Sequence, residues 1–224
     1  MKRTRIYILL LVICYLLFAV SSCVGVSVDI SLNQNGSGNA ALEYQISKAL
    51  DALGRLDGNE RWNTIPVGRA DFERTMDRLP GMKLTSFSSK EDRNNLIINA
   101  KMEFEDLKSL MSFIDASGLR SSFSGDTHSG RIFMTLNDAR PKSNAALENL
   151  ALENLIAEIS KSYSVKMAMS LPGEGSVKIT DNRGFSLDKI PGSVIISPGK
   201  KVSFSLPLYS VLSATDGINV EFLW

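Results

Sequence analysis

The 224-residue chain has only two cysteines and one histidine. Both cysteines, Cys14 and Cys23, fall in its first 23 residues, so residues 24–224 contain no thiol. That excludes disulfides, cysteine nucleophiles and thiolate metal sites from most of the chain. With His128 as the single histidine, the spaced His/Cys sets of zinc sites are excluded too. No charge sign dominates: 25 basic and 24 acidic residues leave a net +1. Such a balance gives no reason to expect a nucleic-acid partner. No Gly-x-Ser-x-Gly elbow occurs, and no low-complexity linker divides the chain. A non-enzymatic protein without cofactor or metal is the expectation.

One apolar run does stand out. Lys2, Arg3 and Arg5 precede 15 apolar residues, Ile6 to Val20, which lead into Ser21-Ser22-Cys23. The run is the length of a signal h-region and shorter than the ~20 residues of a membrane-spanning helix. Val20-Ser21-Ser22-Cys23 resembles the lipobox of bacterial lipoproteins, in which the cysteine is acylated and becomes the new N-terminus. The resemblance implies a signal peptide at 1–22, lipidation at Cys23 and a membrane-anchored place in the cell envelope, facing periplasm or exterior. The signal would take three basic residues with it, leaving 22 basic against 24 acidic, a net −2.

Beyond Cys23, hydrophobic periodicity predicts an α+β protein. Val24, Val26, Val28, Ile30 and Leu32 alternate, as do Ala40, Leu42, Tyr44 and Ile46. The turn-forming run 33–39 between them completes a hairpin signal. Helical spacing appears next at Ile46, Leu50 and Leu53, and again at Phe72, Met76 and Leu79 up to Pro80-Gly81. Further hairpins are expected over 82–104 and 119–137, with an amphipathic helix on Leu107, Leu110, Met111 and Ile114 between them. The longest helix is expected over 144–161. From Tyr163 the pattern is β only: a strand to Leu171, a turn at Leu171-Pro-Gly-Glu-Gly175, and short strands at 177–179 and 194–196. Pro207 pushes the strand over 202–208 toward a sheet edge. The expected architecture is an antiparallel sheet of successive hairpins with three to four helices packed on it. An α+β region, 23–163, is followed by a β-rich part, 164–224, packed on the same body.

The chain also resembles the LppM-like family of bacterial lipoproteins. The likeness rests on Cys23-Val-Gly-Val-Ser-Val-Asp-Ile-Ser-Leu-Asn with Asn35-Gly-Ser-Gly38, on Leu171-Pro-Gly173, and on Gly199-Lys-Lys-Val-Ser-Phe-Ser205. It implies an envelope lipoprotein with an α+β domain and no established catalytic residues, some of whose relatives contact lipids. The expected role is non-catalytic binding or assembly, with a lipid, a glycolipid or another envelope protein as partner. The family pattern includes a C-terminal membrane helix or charged tail, which is not seen up to Trp224.

Individual sites are sparse. Gly36-Ser37-Gly38 lacks the third glycine and the following helix of a dinucleotide loop, so it reads as a hairpin turn. Asp126, His128 and Ser129 share one turn, too close in sequence to form a triad. Asp57-Gly-Asn-Glu60 lacks the alternating acids of a calcium loop. Arg61, Trp62 and Arg69 have the composition of a binding hot spot and are the candidate binding residues. Glu43, Glu60 and Glu103 are the carboxylates that an envelope enzyme would use. The methionines fall at core positions of helices and strands. Finally, the first strand begins directly after Cys23 with no Gly/Ser tether, so the sheet edge carrying it is expected to lie against the membrane.

Overall fold

The computed structural model describes residues 25–48, 68–115, 117–126, 128–138, 158 and 160–224. The signal at 1–22, Cys23, most of the expected helix at 46–53, Glu60, Arg61, Trp62 and most of the helix expected over 144–161 lie outside them. The described chain is mixed α+β: a curled sheet of ten strands with three helices among the described residues. Strand β1 (Val26–Leu32) pairs antiparallel with β2 (Gly38–Ser47). Helix α1 (Arg69–Asp77) leads to the antiparallel pair β3 (Met82–Glu91) and β4 (Asn95–Phe104). Helix α2 (Leu107–Ile114) precedes β5 (Ser121–Gly125) and β6 (Gly130–Asn137). Then come β7 (Ser164–Thr180), β8 (Val194–Ile196), β9 (Gly199–Pro207), α3 (Leu208–Ser213) and β10 (Ile218–Leu223).

Strand β7 organises the molecule. Its first half lies between β1 and β9; its second half pairs with β10. Two ladders therefore share it: β3-β4-β2-β1-β7-β9-β8, and β7-β10-β6-β5. Four sequence expectations are corrected here. The sheet is not wholly antiparallel, because β1 and β7 run parallel. Leu171-Pro-Gly-Glu-Gly175 is no turn but an irregular stretch inside one 17-residue strand, where the register against β9 shifts between Ser170 and Gly175. There the strand passes from one ladder to the other, and Gly175 admits no Cβ because Leu171 Cδ1 would stand 2.2 Å from it. The strand carrying Pro207 is not an edge: β9 is flanked by β7 and β8, and Pro207 sits at its last position, beyond the β8 pairing. The first strand is not an edge either, since β1 lies between β2 and β7.

Period-2 alternation sends one face of the central strands into a common core. Ile30, Met102, Met169, Val202, Phe204 and Leu206 are almost wholly buried from the first ladder, and Ile132, Val220 and Phe222 from the second. Phe204 and Phe222 meet with ring centroids 6.1 Å apart, so the two ladders face one another. Side chains of this size each contribute roughly 1.5–3 kcal/mol on full burial. Met76, Met102, Met134, Met167 and Met169 are core residues, while Met111 packs against the core only partly buried. Helix α1 seats Phe72 on Tyr44, Ile98 and Ala100. Helix α2 is capped by Asp106, whose carboxylate accepts from Ser109 N–H at 2.7 Å, and buries Leu107 and Leu110. Helix α3 has no counterpart in the periodicity; it is six residues long, buries Val211, and carries the chain from β9 to β10.

Candidate functional site

The strand directions give the first ladder two distinct ends. One is the entrance of β1. Gly25 N–H donates to Ser164 O at 3.0 Å, and Gln45 N–H donates to Gly25 O at 3.0 Å. Gly25 is thus already tied to both neighbouring strands. A Cβ there would lie 2.9 Å from Tyr163 Cβ, 3.2 Å from Ser164 O and 3.6 Å from Leu208 Cδ2. Leu208 N–H donates to Tyr163 O, which fixes the start of α3 beside Gly25.

The other end lies seven residues along β1, about 23 Å away at the strand rise. Here the β1–β2 turn, the end of β4 and the start of β3 enclose a groove of about 390 Å3. Asn33, Asn39, Lys83, Glu103 and Glu105 contribute its polar lining. The groove arises from register. Lys83 pairs with Glu103, Glu103 with Asn39, and Asn39 with Ser31, a polar row across four strands. Its walls are held from beneath. Asn33 Nδ2 donates to Ser37 Oγ at 3.0 Å, and Ser37 N–H and Oγ both donate to Asn35 Oδ1. Gly36 closes that turn at φ 85°. Gly38 lies under the Phe104 ring, and a Cβ would fall 2.4 Å from Phe104 Cζ and 2.1 Å from Ser31 O. Glu105 N–H donates to Gly81 O at 2.8 Å, and Ser109 Oγ donates to Pro80 O at 2.8 Å. The groove offers an ammonium donor, amides and two carboxylates on a stiff frame. That chemistry suits a polar, hydrogen-bonding ligand or a protein loop; an acyl chain would leave these groups unpaired.

The residues singled out by sequence fare differently. Arg69 is on the exposed face of α1, with Nε donating to Glu73 Oε1 at 2.8 Å, one helical turn on. Arg61 and Trp62, its expected companions, lie outside the described residues. Glu43 and Glu103 do share the outer face of the sheet, but four positions apart along the β2–β4 ladder. That is about 13 Å, beyond the ~5–9.5 Å over which paired carboxylates act on one bond in glycoside hydrolysis. The structure brings Glu103 into the groove and leaves Glu43 out of it. The Asp126 carboxylate accepts from the backbone N–H groups of His128 and Ser129, which holds it below the ordinary carboxylate range and caps the β5–β6 turn. His128 itself is 92% exposed on that turn. Among the described residues, no group of three or more His, Cys, Asp or Glu could hold a metal ion.

Asn33, Asn39, Lys83 and Glu105 are the residues that sequence reasoning missed. Each is an ordinary polar residue near a strand end, and only the register of three strand pairs assembles them.

No protein-family model matches the chain, and no curated protein does. Among solved structures, it is similar to the NMR structure of the folded domain of Mycobacterium tuberculosis LppM. The two are 13% identical over 88% of this chain and 86% of that one, with a TM-score of 0.41.

Proposed function

We propose that this chain is a lipid-anchored protein of the bacterial cell envelope with a non-catalytic binding or assembly role. One observation carries the reading: Val20-Ser21-Ser22-Cys23 is succeeded, two residues on, by a glycine hydrogen-bonded into the sheet on both sides. Two residues of chain span at most ~7 Å. An acyl group on Cys23 would therefore hold the entrance of β1 at the bilayer and leave the polar groove at the outer end of the first ladder. The groove's carboxylates, amides and Lys83 favour a polar partner, a protein surface or a glycan headgroup, over a carried acyl chain.

The test is acylation and its consequence. Expression with radiolabelled palmitate in a bacterial host should label the wild type, and mass spectrometry should place acyl chains on an N-terminal Cys23 peptide. Cys23→Ala should lose the label and move from the membrane to the soluble fraction. An unlabelled wild-type protein would defeat the reading.

A further inference from the structure

Large apolar side chains are not spread evenly over the surface. Among the described residues five are exposed: Leu119 (88%), Phe185 (65%), Val194 (57%), Ile196 (57%) and Tyr209 (41%). Tyr209 comes directly after Leu208, the residue in van der Waals reach of the Gly25 position. Val194 and Ile196 stand on the outer face of the edge strand β8, opposite Ser205 and Ser203, and Val194 is near the β9 end that reaches Pro207. Gly192, just before β8, would bring a Cβ to 3.2 Å from Pro207 Cγ. Leu119 and Phe185 lie at the end of the second ladder that α3 connects to the Gly25 end. The helix starts beside Gly25 and is only about 9 Å long. It finishes against β6, where Asn137 Nδ2 donates to Val211 O and Ala214 O. Asn137 pairs with Ile218, and Asn219 with Thr180, so this is the closing end of the second ladder. Phe185 lies in the turn after Thr180, with Asp181 N–H donating to Phe185 O and Asn182 N–H to Asp216 O. Leu119 precedes Arg120, whose carbonyl accepts from Thr135 N–H in the neighbouring row. By contrast, the groove end is lined by Asn33, Asn39, Lys83, Glu103 and Glu105.

Two of these apolar residues have a cation close by, and each cation has an acid of its own. Arg183 lies over the Phe185 ring at 5.4 Å and bonds Asp181 and Asp216. Arg120, next to Leu119 in the chain, pairs with Asp138 at 2.9 Å. Apolar tips flanked by neutralised basic stems match the zone between headgroups and acyl chains, where aromatic and aliphatic groups are buried and cations reach outward. The neutralised charge argues for a bilayer interface of any charge rather than for anionic lipid in particular.

We infer that the Gly25 end is a second membrane contact, with Val194, Ile196, Tyr209, Phe185 and Leu119 seated in the headgroup boundary of the bilayer that holds the Cys23 acyl chains. The occupant is fixed by where the chain leaves the structure: a single residue, Val24, separates Gly25 from Cys23. This inference rests on the lipid-anchor reading. It adds that the lipid does not act as a loose tether, because the body itself docks in one orientation.

Full-length protein, purified from membranes with Cys23 acylated and reconstituted in phosphatidylcholine vesicles, supplies the test. An environment-sensitive fluorophore is attached through Val194→Cys in one sample and through Gln34→Cys, in the β1–β2 turn, in another. Nitroxide-bearing phospholipid should quench the probe at 194 and leave the probe at 34 unaffected, while aqueous iodide should do the reverse. Adding Tyr209→Ser and Phe185→Ser to the Val194→Cys protein should reduce lipid quenching without changing the acylated peptide mass. Equal behaviour of the two probes on an acylated protein would overturn the docking surface alone. A probe at 194 shielded from iodide yet not quenched by lipid would also overturn it, in favour of a protein covering this end. An unacylated Cys23 would remove the anchor reading and the docking surface together. Far-ultraviolet circular dichroism of each variant confirms that the sheet is intact.

Discussion

The two ends of the first ladder belong to the same run of paired strands, yet they have opposite surfaces. At the Gly25 end the strands give way to Leu208, Tyr209 and the exposed face of β8. At the Asn33 end they give way to a polar groove over a stapled turn. Both ends depend on a glycine under an aromatic or its backbone neighbour, Gly25 under Tyr163 and Gly38 under Phe104. The difference teaches that the turns and helices joined to the strand ends set the surface chemistry, since the alternating strand interiors are alike.

Four substitutions probe that comparison. The largest effect is expected at the groove end. Gly38→Ala would drive a methyl into Ser31 O and the Phe104 ring, at 2.1 and 2.4 Å, with no flexible group to yield on the backbone side. A loss of about 3 kcal/mol is expected in denaturant unfolding. Gly25→Ala meets Tyr163 Cβ at 2.9 Å and should cost less, about 1–2 kcal/mol. Equal losses would show that the two ends are equally tight. Next, Asp106→Ala removes the α2 cap beside the groove and should cost about 1 kcal/mol, with faster amide exchange at Ser109 and Leu110. The smallest effect is at Lys201→Ala. Lys201 reaches Asp29 at 2.7 Å diagonally across β7, over Ala168, and the pair is exposed. Such pairs contribute less than about 1 kcal/mol.

Acid should act unevenly on the turns. Asp115, at the end of α2, accepts from the Ser117 hydroxyl and from the N–H groups of Arg120 and Ser121, and these bonds lower its pKa from 3.8 to about 2. A depressed folded pKa gives stability that is present above 3.8 and lost as pH falls toward 2. Amide exchange across 117–121 should therefore rise in that window, and Asp115→Asn should remove the dependence. A flat profile in the wild type would sever the link between this carboxylate and the loop.

Much of this is legible in the sequence, and a specific part is dark. The strands β1, β2 and β4 and the helix α2 are written in clear periodicity, because each turns one apolar face inward. Strand β7 misleads because Pro172, Gly173 and Gly175 carry turn chemistry, whereas here they serve a strand that changes partners. Helix α3 escapes because six residues give no period to detect. The parallel β1–β7 pairing joins residues about 140 apart, which no local pattern encodes. For the same reason Glu103 can be picked out as a carboxylate but not placed beside Lys83 and Asn39. The exposed Val194 and Ile196 read as an ordinary short strand, and only the pairing with β9 shows them on the open face of an edge.

The claim that the body begins at the anchor, with no free tether, has a direct measurement. The acylated protein in vesicles is treated with a broad-specificity protease, and the cut sites are mapped by mass spectrometry. Gly25 to Leu32 should resist cleavage for as long as the rest of the sheet is intact, because Gly25 is already bonded to Ser164 and Gln45. Cleavage between Gly25 and Ile30 in a protein that otherwise stays folded would contradict it.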